Sequence, residues 1–253
     1  MLLEPAHHLR TLTDDVAVCG ELARRVDHLA PLSHLPGWRV VDCLAHLVGD
    51  LRWATSILTS RAWDPRGIVP ARERGDELIA AWDTAAAAMV AAVSIAVDEL
   101  ATHDPVCPNF TDRAGRLSFW PRRQAHETTM HRWDLEVPTG QHRQLDAAVA
   151  ADAVDESLHV YTRRYGGQEL PPPLLLRCTY APPPWLVPPV VVDGDATRVE
   201  VERHLDAAVG DVEATAEALL LVVQHRLGPD EAAVRFSAHQ GPARAFLAGP
   251  LVA

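Results

Sequence analysis

Lysine is absent from this chain of 253 residues, in which every basic side chain other than histidine is arginine. The 23 basic residues are outnumbered by 34 acidic ones, which gives a formal net charge of −11. No block of basic residues occurs that could follow a phosphate backbone or an anionic lipid surface. The composition therefore argues against nucleic-acid and membrane-surface partners.

Cysteine is scarce as well, and the four cysteines (Cys19, Cys43, Cys107 and Cys178) form no CxxC pair. This pattern fits a reduced cytoplasmic protein better than a disulfide scaffold. The N-terminal segment lacks the charged and apolar regions of a secretory signal. No stretch is apolar for long enough to predict a membrane span. We therefore expect a cytoplasmic protein with no membrane partner, and the 48% of apolar residues suffices for a sizeable core.

The first half of the chain has the pattern of four helices, over roughly 5–30, 37–61, 72–102 and 118–137. The second predicted helix carries a heptad stripe of the kind that packs in helical bundles. The stripe consists of Val40, Leu44, Leu47, Leu51, Ala54 and Leu58. Pro138 and Gly140 end the fourth helix.

The second half changes character after a further helix over about 144–165. Strand-like runs follow at Leu174–Tyr180, Val190–Val192 and Thr197–His204. A helix over Glu213–Leu227, with Asp211 as its N-cap, then precedes a final strand (Val234–Ala238) and a short helix (Pro242–Leu247). The predicted fold is mainly α with α+β character. It consists of a four-helix bundle over residues 1–140 and a small α/β domain over residues 141–253.

Glu127 and His131 lie four residues apart on the fourth predicted helix, so both side chains project from one face. Arg123 and Asp134 fall on the same polar strip. His46 on the second helix supplies another imidazole. Two histidines and one carboxylate from separate helices can make a three-ligand metal site with an open coordination position, which is typical of catalytic sites. Such ligands suit Zn²⁺ and are also accepted by Ni²⁺, Fe²⁺ or Mn²⁺.

Less specific interpretations of these residues stay open. A Glu-x-x-x-His pair is common on solvated helices, and a single histidine on a partly apolar helix is usually a packing residue. His46 lies off the apolar stripe, in line with Trp53 and Ile57, which predicts a site toward one end or flank of the bundle, facing the second domain. Asp42 and Asp134 are candidate acceptors for imidazole N–H groups.

Two segments resemble signatures of a known family. LPGWRVVDCLAHL (residues 35–47) and ETTMHRWD (residues 127–134) resemble the second- and fourth-helix signatures of the mycothiol-dependent maleylpyruvate isomerase family, a branch of the DinB-like metal-binding bundles. The run Leu219–Leu227, which contains Arg226, is similar to a helix of the small C-terminal domain in the same family.

The resemblance implies a divalent metal, most often zinc, held by His46, Glu127 and His131. It also implies mycothiol, a low-molecular-weight thiol of actinobacteria, as cosubstrate between the bundle and the C-terminal domain. Zinc with an open position can bind and deprotonate a thiol, and the thiolate is the reactive nucleophile. In an isomerase, the thiolate would add to a cis-enoyl diacid and leave after rotation. In an S-transferase, it would attack a small electrophile, including one from secondary metabolism.

Both activities need cationic groups for anionic substrates. We expect Arg226 and Arg123 to have catalytic roles of this kind, because an arginine fork matches a carboxylate. Arg39 and Trp53 are assigned to cofactor binding. The alternative for each arginine is a solvated surface charge, and for Trp53 a place in the core.

Two other functions remain open at this point. One is a thiol-independent, DinB-like metal hydrolase, and the other is a non-catalytic metal-binding or regulatory bundle. The second domain argues against the non-catalytic alternative, because a simple metal carrier has no need of a ligand cleft.

Overall fold

The computed structural model describes residues 3–161, 174–179, 185–187, 189–192, 196–199, 202–203, 211–237, 240–249 and 251. The chain divides into two compact units, one over Leu3–Arg143 and the other from Gln144 onward. The proposed domain boundary after residue 140 lies close to this division.

The first unit is a bundle of four helices. They are α1 (Pro5–Arg25), α2 (Val40–Ser60), α3 (Asp76–Leu100) and α4 (Phe119–Glu136). Helix α1 packs against α3 and α4, and α2 also packs against both of them. A single 3₁₀ turn, Val137–Thr139, follows α4 and ends at Gly140, whose φ of 66° is a left-handed conformation that favours glycine.

The apolar stripe predicted for α2 is buried in full. The residues in line with His46 are buried too, since Ile57 is fully buried and Trp53 is 8% exposed. This side of α2 is therefore packed as well, while the expectation that the site lies toward one end or flank of the bundle stays a prediction. Both sides are packed because α2 has two helical neighbours, α3 and α4, and a single seven-residue stripe describes only one packed face.

The loop after α2 returns to pack on that helix at Gly49. A Cβ atom at Gly49 would overlap with the carbonyl oxygen of Val69, and the Ala71 N–H donates to Ala45 O over 2.8 Å. The absence of a side chain at Gly49 thus lets the loop backbone lie directly against α2, one turn from His46.

Helix α3 is long and apolar enough to cross a membrane, by length and composition alone. This corrects the sequence-based statement that no such stretch exists. An alanine-rich helix of this kind is also what the interior of a bundle requires, and residues along α3 such as Leu78, Trp82, Met89 and Val93 are buried.

The second unit combines helices with a mixed sheet. Its helices are α5 (Ala147–Tyr161), α6 (Ala216–Val223) and α7 (Gln240–Leu247). Its strands are β1 (Leu174–Thr179), β2 (Trp185–Val187), β3 (Pro189–Val192), β4 (Ala196–Val199), β5 (Glu202–Arg203), β6 (Val212–Thr215) and β7 (Arg235–Phe236). The larger sheet has the order β5-β2-β1-β6-β7, and β3 pairs with β4 in a separate antiparallel ladder. The predicted combination of a helical bundle with a small α/β unit is confirmed.

Strand β1 lies at the centre of the larger sheet. It runs parallel to β6, with Leu176 opposite Val212, and antiparallel to β2. Leu174, Leu176 and Cys178 on one face of β1 are buried, as a strand with one covered face requires. Helix α6 packs against α5 and also contacts β6 and β1.

The predicted helix over Glu213–Leu227 is wrong at both ends. Residues Val212–Thr215 form β6, and the helix that follows ends at Val223. The true N-cap is Thr215, whose hydroxyl accepts from the Ala218 N–H over 3.1 Å. Strand pairing of β6 with β1 overrides the helical preference of Glu213 and Ala214, because a buried central strand gains a complete hydrogen-bond ladder. The predicted end of the helix near residue 165, and residues 200–201 and 204 of the predicted strand Thr197–His204, lie outside the described residues.

Candidate metal centre

His46 on α2 meets Glu127 and His131 on α4. His46 Nε2 lies 3.3 Å from Glu127 Oε1, and His131 Nε2 lies 3.1 Å from the same oxygen. The two imidazole centroids are 5.0 Å apart. One potential ligand atom from each residue falls within 4.8 Å of the others. The structure thus brings together the three residues assigned to the metal, which we call the His46–Glu127–His131 cluster.

Asp134 sets the orientation of the His131 ring. Its Oδ2 atom lies 2.8 Å from His131 Nδ1, on the side of the ring away from Glu127. Because a carboxylate only accepts, Nδ1 carries the proton, and this leaves the lone pair of a neutral ring on Nε2. The predicted role of Asp134 as a partner of an imidazole is confirmed. Asp42 does not share it, because its Oδ2 atom accepts from the Arg39 N–H over 2.9 Å and caps α2.

A cation, either a proton on His131 or a metal ion, would relieve the close approach of His131 to Glu127. With Nδ1 protonated, the Nε2 lone pair of neutral His131 would point at a glutamate oxygen, which is unfavourable unless a proton or a metal ion lies between them. Burial lowers the pKa of His131, but Cys43, Asp134 and Glu127 outweigh burial and raise that pKa well above its usual value. Burial likewise raises the pKa of Glu127, while Arg123 and the two histidines bring it well below the usual range. A donor set of two imidazole nitrogens and one carboxylate fits a divalent ion such as Zn²⁺.

Arg123 forms an ion pair with Glu127, one helical turn away on α4. The contact involves Glu127 Oε2, so that Oε1 is the oxygen that faces the histidines. The side chain of Arg123 is only 6% exposed. In this arrangement Arg123 orients the glutamate, which differs from the predicted contact with a substrate.

The cluster is more open on one side than on the other. The side chains of His46 and Glu127 are 21% and 19% exposed, whereas that of His131 is 8% exposed. Trp38 covers part of the cluster, with its ring parallel to that of His131 at 6.4 Å and edge-on to that of His46 at 5.4 Å. A small reactant would therefore approach from the side of His46 and Glu127.

Asp50 is a buried carboxylate near the cluster that the sequence-based prediction did not include. Its residue exposure is 3%, and its Oδ2 atom has no hydrogen-bond partner among the described residues. Burial and the negative charge of Glu127 raise the pKa of Asp50 to about 6, against a smaller lowering by His46 and Arg123. Helical spacing from His46 was the only clue to it.

His34 is a second residue near the cluster that the sequence-based prediction did not include. His34 Nε2 lies 2.8 Å from Asp134 Oδ1, across 100 positions of sequence. Cys43 is a further neighbour, with Sγ 3.6 Å from His131 Nδ1. Cys43, His131 and Asp134 are also close enough to hold an ion. Of these two groups, the His46–Glu127–His131 cluster is the better ion site. A neutral imidazole has a single free lone pair, and with the N–H on Nδ1 that lone pair is on Nε2, which faces Glu127.

The remaining predicted site residues lie elsewhere. Trp53 is in the core of the bundle, where its indole N–H donates to Asp64 O over 3.0 Å and its ring packs edge-on against Trp63 and Trp120. Arg39 is exposed at the start of α2. These positions give Trp53 and Arg39 structural roles, and their assignment to cofactor binding stays a prediction.

Arg226 follows the end of α6 in the second unit. It lines a cavity of about 550 Å³ together with Val222, Leu227, Arg244 and Leu247, among others. Arg226 Nη1 donates to Gln224 O over 2.8 Å. The preceding residue, His225, has a φ of 56°, a conformation that non-glycine residues rarely adopt.

Taken together, the fold and the cluster define a class of protein, namely a four-helix bundle with an internal histidine–carboxylate cluster, followed by an α/β unit. Within that class, the chain belongs to the mycothiol maleylpyruvate isomerase family, whose N-terminal domain model matches residues 9–136. This confirms the family resemblance.

Two solved structures are similar over most of their length. One is a histidine-to-alanine mutant of mycothiol-dependent maleylpyruvate isomerase, with a TM-score of 0.60 and 13% identity over 94% of both chains. The other is the mycothiol-dependent maleylpyruvate isomerase itself, with a TM-score of 0.51 and the same identity and coverage. At this identity the likeness concerns the fold alone. No curated protein sequence matched significantly.

Proposed function

We propose that this chain is a metal-dependent enzyme that uses mycothiol as nucleophile against a small electrophile. The observation that carries the proposal is the convergence of two imidazole nitrogens and one carboxylate oxygen on a single point in the bundle. Family membership through the N-terminal domain supports mycothiol as the thiol. The cytoplasm, where such thiols stay reduced, is the proposed location.

His46, Glu127 and His131 would hold the ion, with zinc as the proposed metal. A bound divalent ion with an open position would take up a thiol and lower its pKa, which makes a thiolate available at neutral pH. Arg123 holds Glu127 with Oε1 toward the histidines, and Asp134 keeps the His131 lone pair on Nε2. The partly exposed side at His46 and Glu127 is the side from which the thiol and the electrophile would approach.

Arg226 is the proposed anion-binding residue. It stands in a cavity with a second arginine, Arg244, and with apolar side chains such as Val222 and Leu247. A guanidinium beside apolar walls suits a small carboxylate-bearing molecule, because the charge is matched and the carbon skeleton is covered. We propose cis–trans isomerisation of an enoyl diacid as the first activity to test and S-transfer as the second.

The first experiment determines metal content. Purified protein should carry about one equivalent of a divalent ion by elemental analysis, and His46→Ala should lose it while remaining folded by circular dichroism. A wild-type protein without bound metal, and with no affinity for added Zn²⁺, would reject the proposal.

The second experiment tests the thiol. Mycothiol titrated into zinc-loaded protein should release heat and raise the melting temperature, and should do neither with the metal-free protein. If metal binds and mycothiol does not, a thiol-independent hydrolase becomes the better hypothesis.

Arg226→Ala should raise the KM for an anionic substrate, and an unchanged KM would remove this residue from the proposal. Product analysis separates isomer from thiol conjugate.

A further inference from the structure

A short loop between α1 and α2 touches the candidate metal centre at two points. This loop, residues 31–39, is closed by an antiparallel bridge between Pro31 and Arg39 and by the Leu32 N–H, which donates to Trp38 O over 2.9 Å. Gly37 has a φ of 84°, a left-handed conformation that lets the chain turn back at that point. The loop is therefore a defined structure that presents fixed side chains.

Both side chains that the loop presents to the centre act on His131. Trp38 lies parallel to the His131 ring. His34 reaches the far side of Asp134, so that Asp134 Oδ1 faces His34 Nε2 and Oδ2 faces His131 Nδ1, each at 2.8 Å. His34 also packs edge-on against Trp133, with centroids 5.1 Å apart.

We propose that His34 is a positioning residue for the candidate metal centre, and that it acts on His131 through Asp134. The inference rests on the proposed metal site. The inference adds a residue, His34, to the site. His34 lies on a loop far from α4 in sequence and belongs to neither of the two helix motifs. The His34 N–H holds one oxygen of the fully buried Asp134 carboxylate and thereby fixes the direction of the other.

The physical consequence concerns the ligand atom of His131. A carboxylate held at Oδ1 keeps Oδ2 in line with Nδ1, and the ring then presents the Nε2 lone pair toward Glu127. Without the His34 donor, Asp134 loses a contact that holds Oδ1, and the direction of Oδ2 toward His131 Nδ1 becomes less fixed. Removal of a partner of this kind from a metal-bound histidine costs about 10–100-fold in affinity, and we expect about tenfold for His34 because it acts one step further out.

The test compares zinc affinities by competition with a chromophoric chelator in four proteins: wild type, His34→Phe, Asp134→Asn and the double variant. Phenylalanine is chosen because it can keep the edge-on contact with Trp133. We expect His34→Phe to weaken zinc binding and to alter the visible absorption of the Co²⁺-substituted protein, which reports ligand geometry. In the Asp134→Asn background, His34→Phe should add little, because the two residues act in series.

His28→Phe is the matched control. His28 lies just before the same loop and its Nε2 atom contacts a backbone oxygen, Ala23 O, over 2.7 Å. The His28→Phe substitution should leave the zinc affinity unchanged even if it lowers the melting temperature of the protein. His34→Gln, which retains an N–H donor, should restore affinity relative to His34→Phe.

Three results would overturn the inference while leaving the metal site intact. The first is an equal zinc affinity in wild type and His34→Phe. The second is a loss of zinc affinity in His28→Phe as large as that in His34→Phe. The third is full additivity of the affinity losses of His34→Phe and Asp134→Asn in the double variant. A wild-type protein that binds no zinc would instead reject the proposed function itself.

Discussion

Helix α4 carries two polar groups that resemble each other in composition and differ in how their charges are matched. One is the His46–Glu127–His131 cluster. The other, which we call the Asp15–Glu136 network, joins Asp15 of α1 to Thr129, Arg132 and Glu136 of α4. Both contain carboxylates and an arginine, and both use i,i+4 pairs on the same helix, but the first is partly exposed at His46 and Glu127.

The Asp15–Glu136 network is closed. Arg132 contacts Asp15 Oδ1 at 2.8 Å and Glu136 Oε1 at 2.7 Å. The Thr129 hydroxyl donates to Asp15 Oδ2 over 2.5 Å, and the Arg143 N–H donates to Glu136 Oε2 over 3.0 Å. In this sense the charges are closed, because each carboxylate oxygen lies beside the Arg132 guanidinium or a hydrogen-bond donor, although the Arg132 Nε–H itself makes no hydrogen bond of good geometry.

The His46–Glu127–His131 cluster is not closed in this way. Arg123 contacts Glu127 Oε2, and Glu127 Oε1 faces two histidine nitrogens. If both rings are neutral and direct lone pairs at this oxygen, the arrangement is unfavourable until a proton or a metal ion lies between them. A closed network stabilises the bundle, whereas an arrangement with excess acceptors is the one suited to a ligand. This difference can be tested by substitutions on each side.

The largest expected effect is that of Glu127→Gln on metal binding. The amide keeps the shape of the side chain and removes its charge, so zinc should no longer be retained at stoichiometric level through gel filtration. Elemental analysis measures this. The matched change in the closed network, Glu136→Gln, should retain the metal, and loss of metal in both variants would contradict the distinction.

Arg132→Met should be the most destabilising change in the closed network. It leaves two buried carboxylates without their cation, and breaking a buried ion pair in this way costs about 3–5 kcal/mol. Urea denaturation measures the free energy of unfolding. The folded fraction of this variant should bind zinc with wild-type affinity. A loss in the free energy of unfolding below about 1 kcal/mol, which is the range of an exposed ion pair, would show that the network is not closed as described.

Asp50→Asn should change how stability depends on pH in the chelator-treated protein. The pKa of Asp50 is raised from 3.8 to about 6. Its contribution to stability is therefore fully present below the unfolded pKa and is lost as pH rises through about 6. Above that pH the asparagine variant should be more stable than wild type, by on the order of 2 kcal/mol, and below pH about 4 the advantage should vanish. Thermal melts across this pH range provide the measurement. A difference in stability between the variant and wild type that is the same at every pH would contradict the prediction.

The smallest expected effect separates two adjacent threonines on α4. Thr129→Val removes a donor to the buried Asp15 carboxylate and should cost about 1–3 kcal/mol. Thr128 is fully buried, and its hydroxyl has no hydrogen-bond partner within the described part of the chain. Thr128→Val should therefore be neutral or slightly stabilising, by a few tenths of a kcal/mol. Equal costs for the two variants in urea denaturation would contradict the description of the network.

Much of the bundle could be predicted because its information is local. The heptad stripe of α2 and the i,i+4 spacing of Glu127 and His131 are properties of a helix, so they hold wherever the helix packs. The start and end of α4 were predicted to within one residue for the same reason. The strand Val212–Thr215 was not predicted, because its local preference is helical and its pairing partner, β1, lies more than 30 residues earlier in the chain.

The sequence by itself determined which groups could act: two histidines and a carboxylate at spacings that place them on two helices, and the family that this pattern indicates. The tertiary structure alone decided what surrounds them. It placed His34 against Asp134 and Asp50 in a buried position near Glu127, and it gave Asp42 to a helix cap. The reason is physical, because spacing along one helix fixes which side chains share a face, whereas contacts between distant segments depend on how those faces pack.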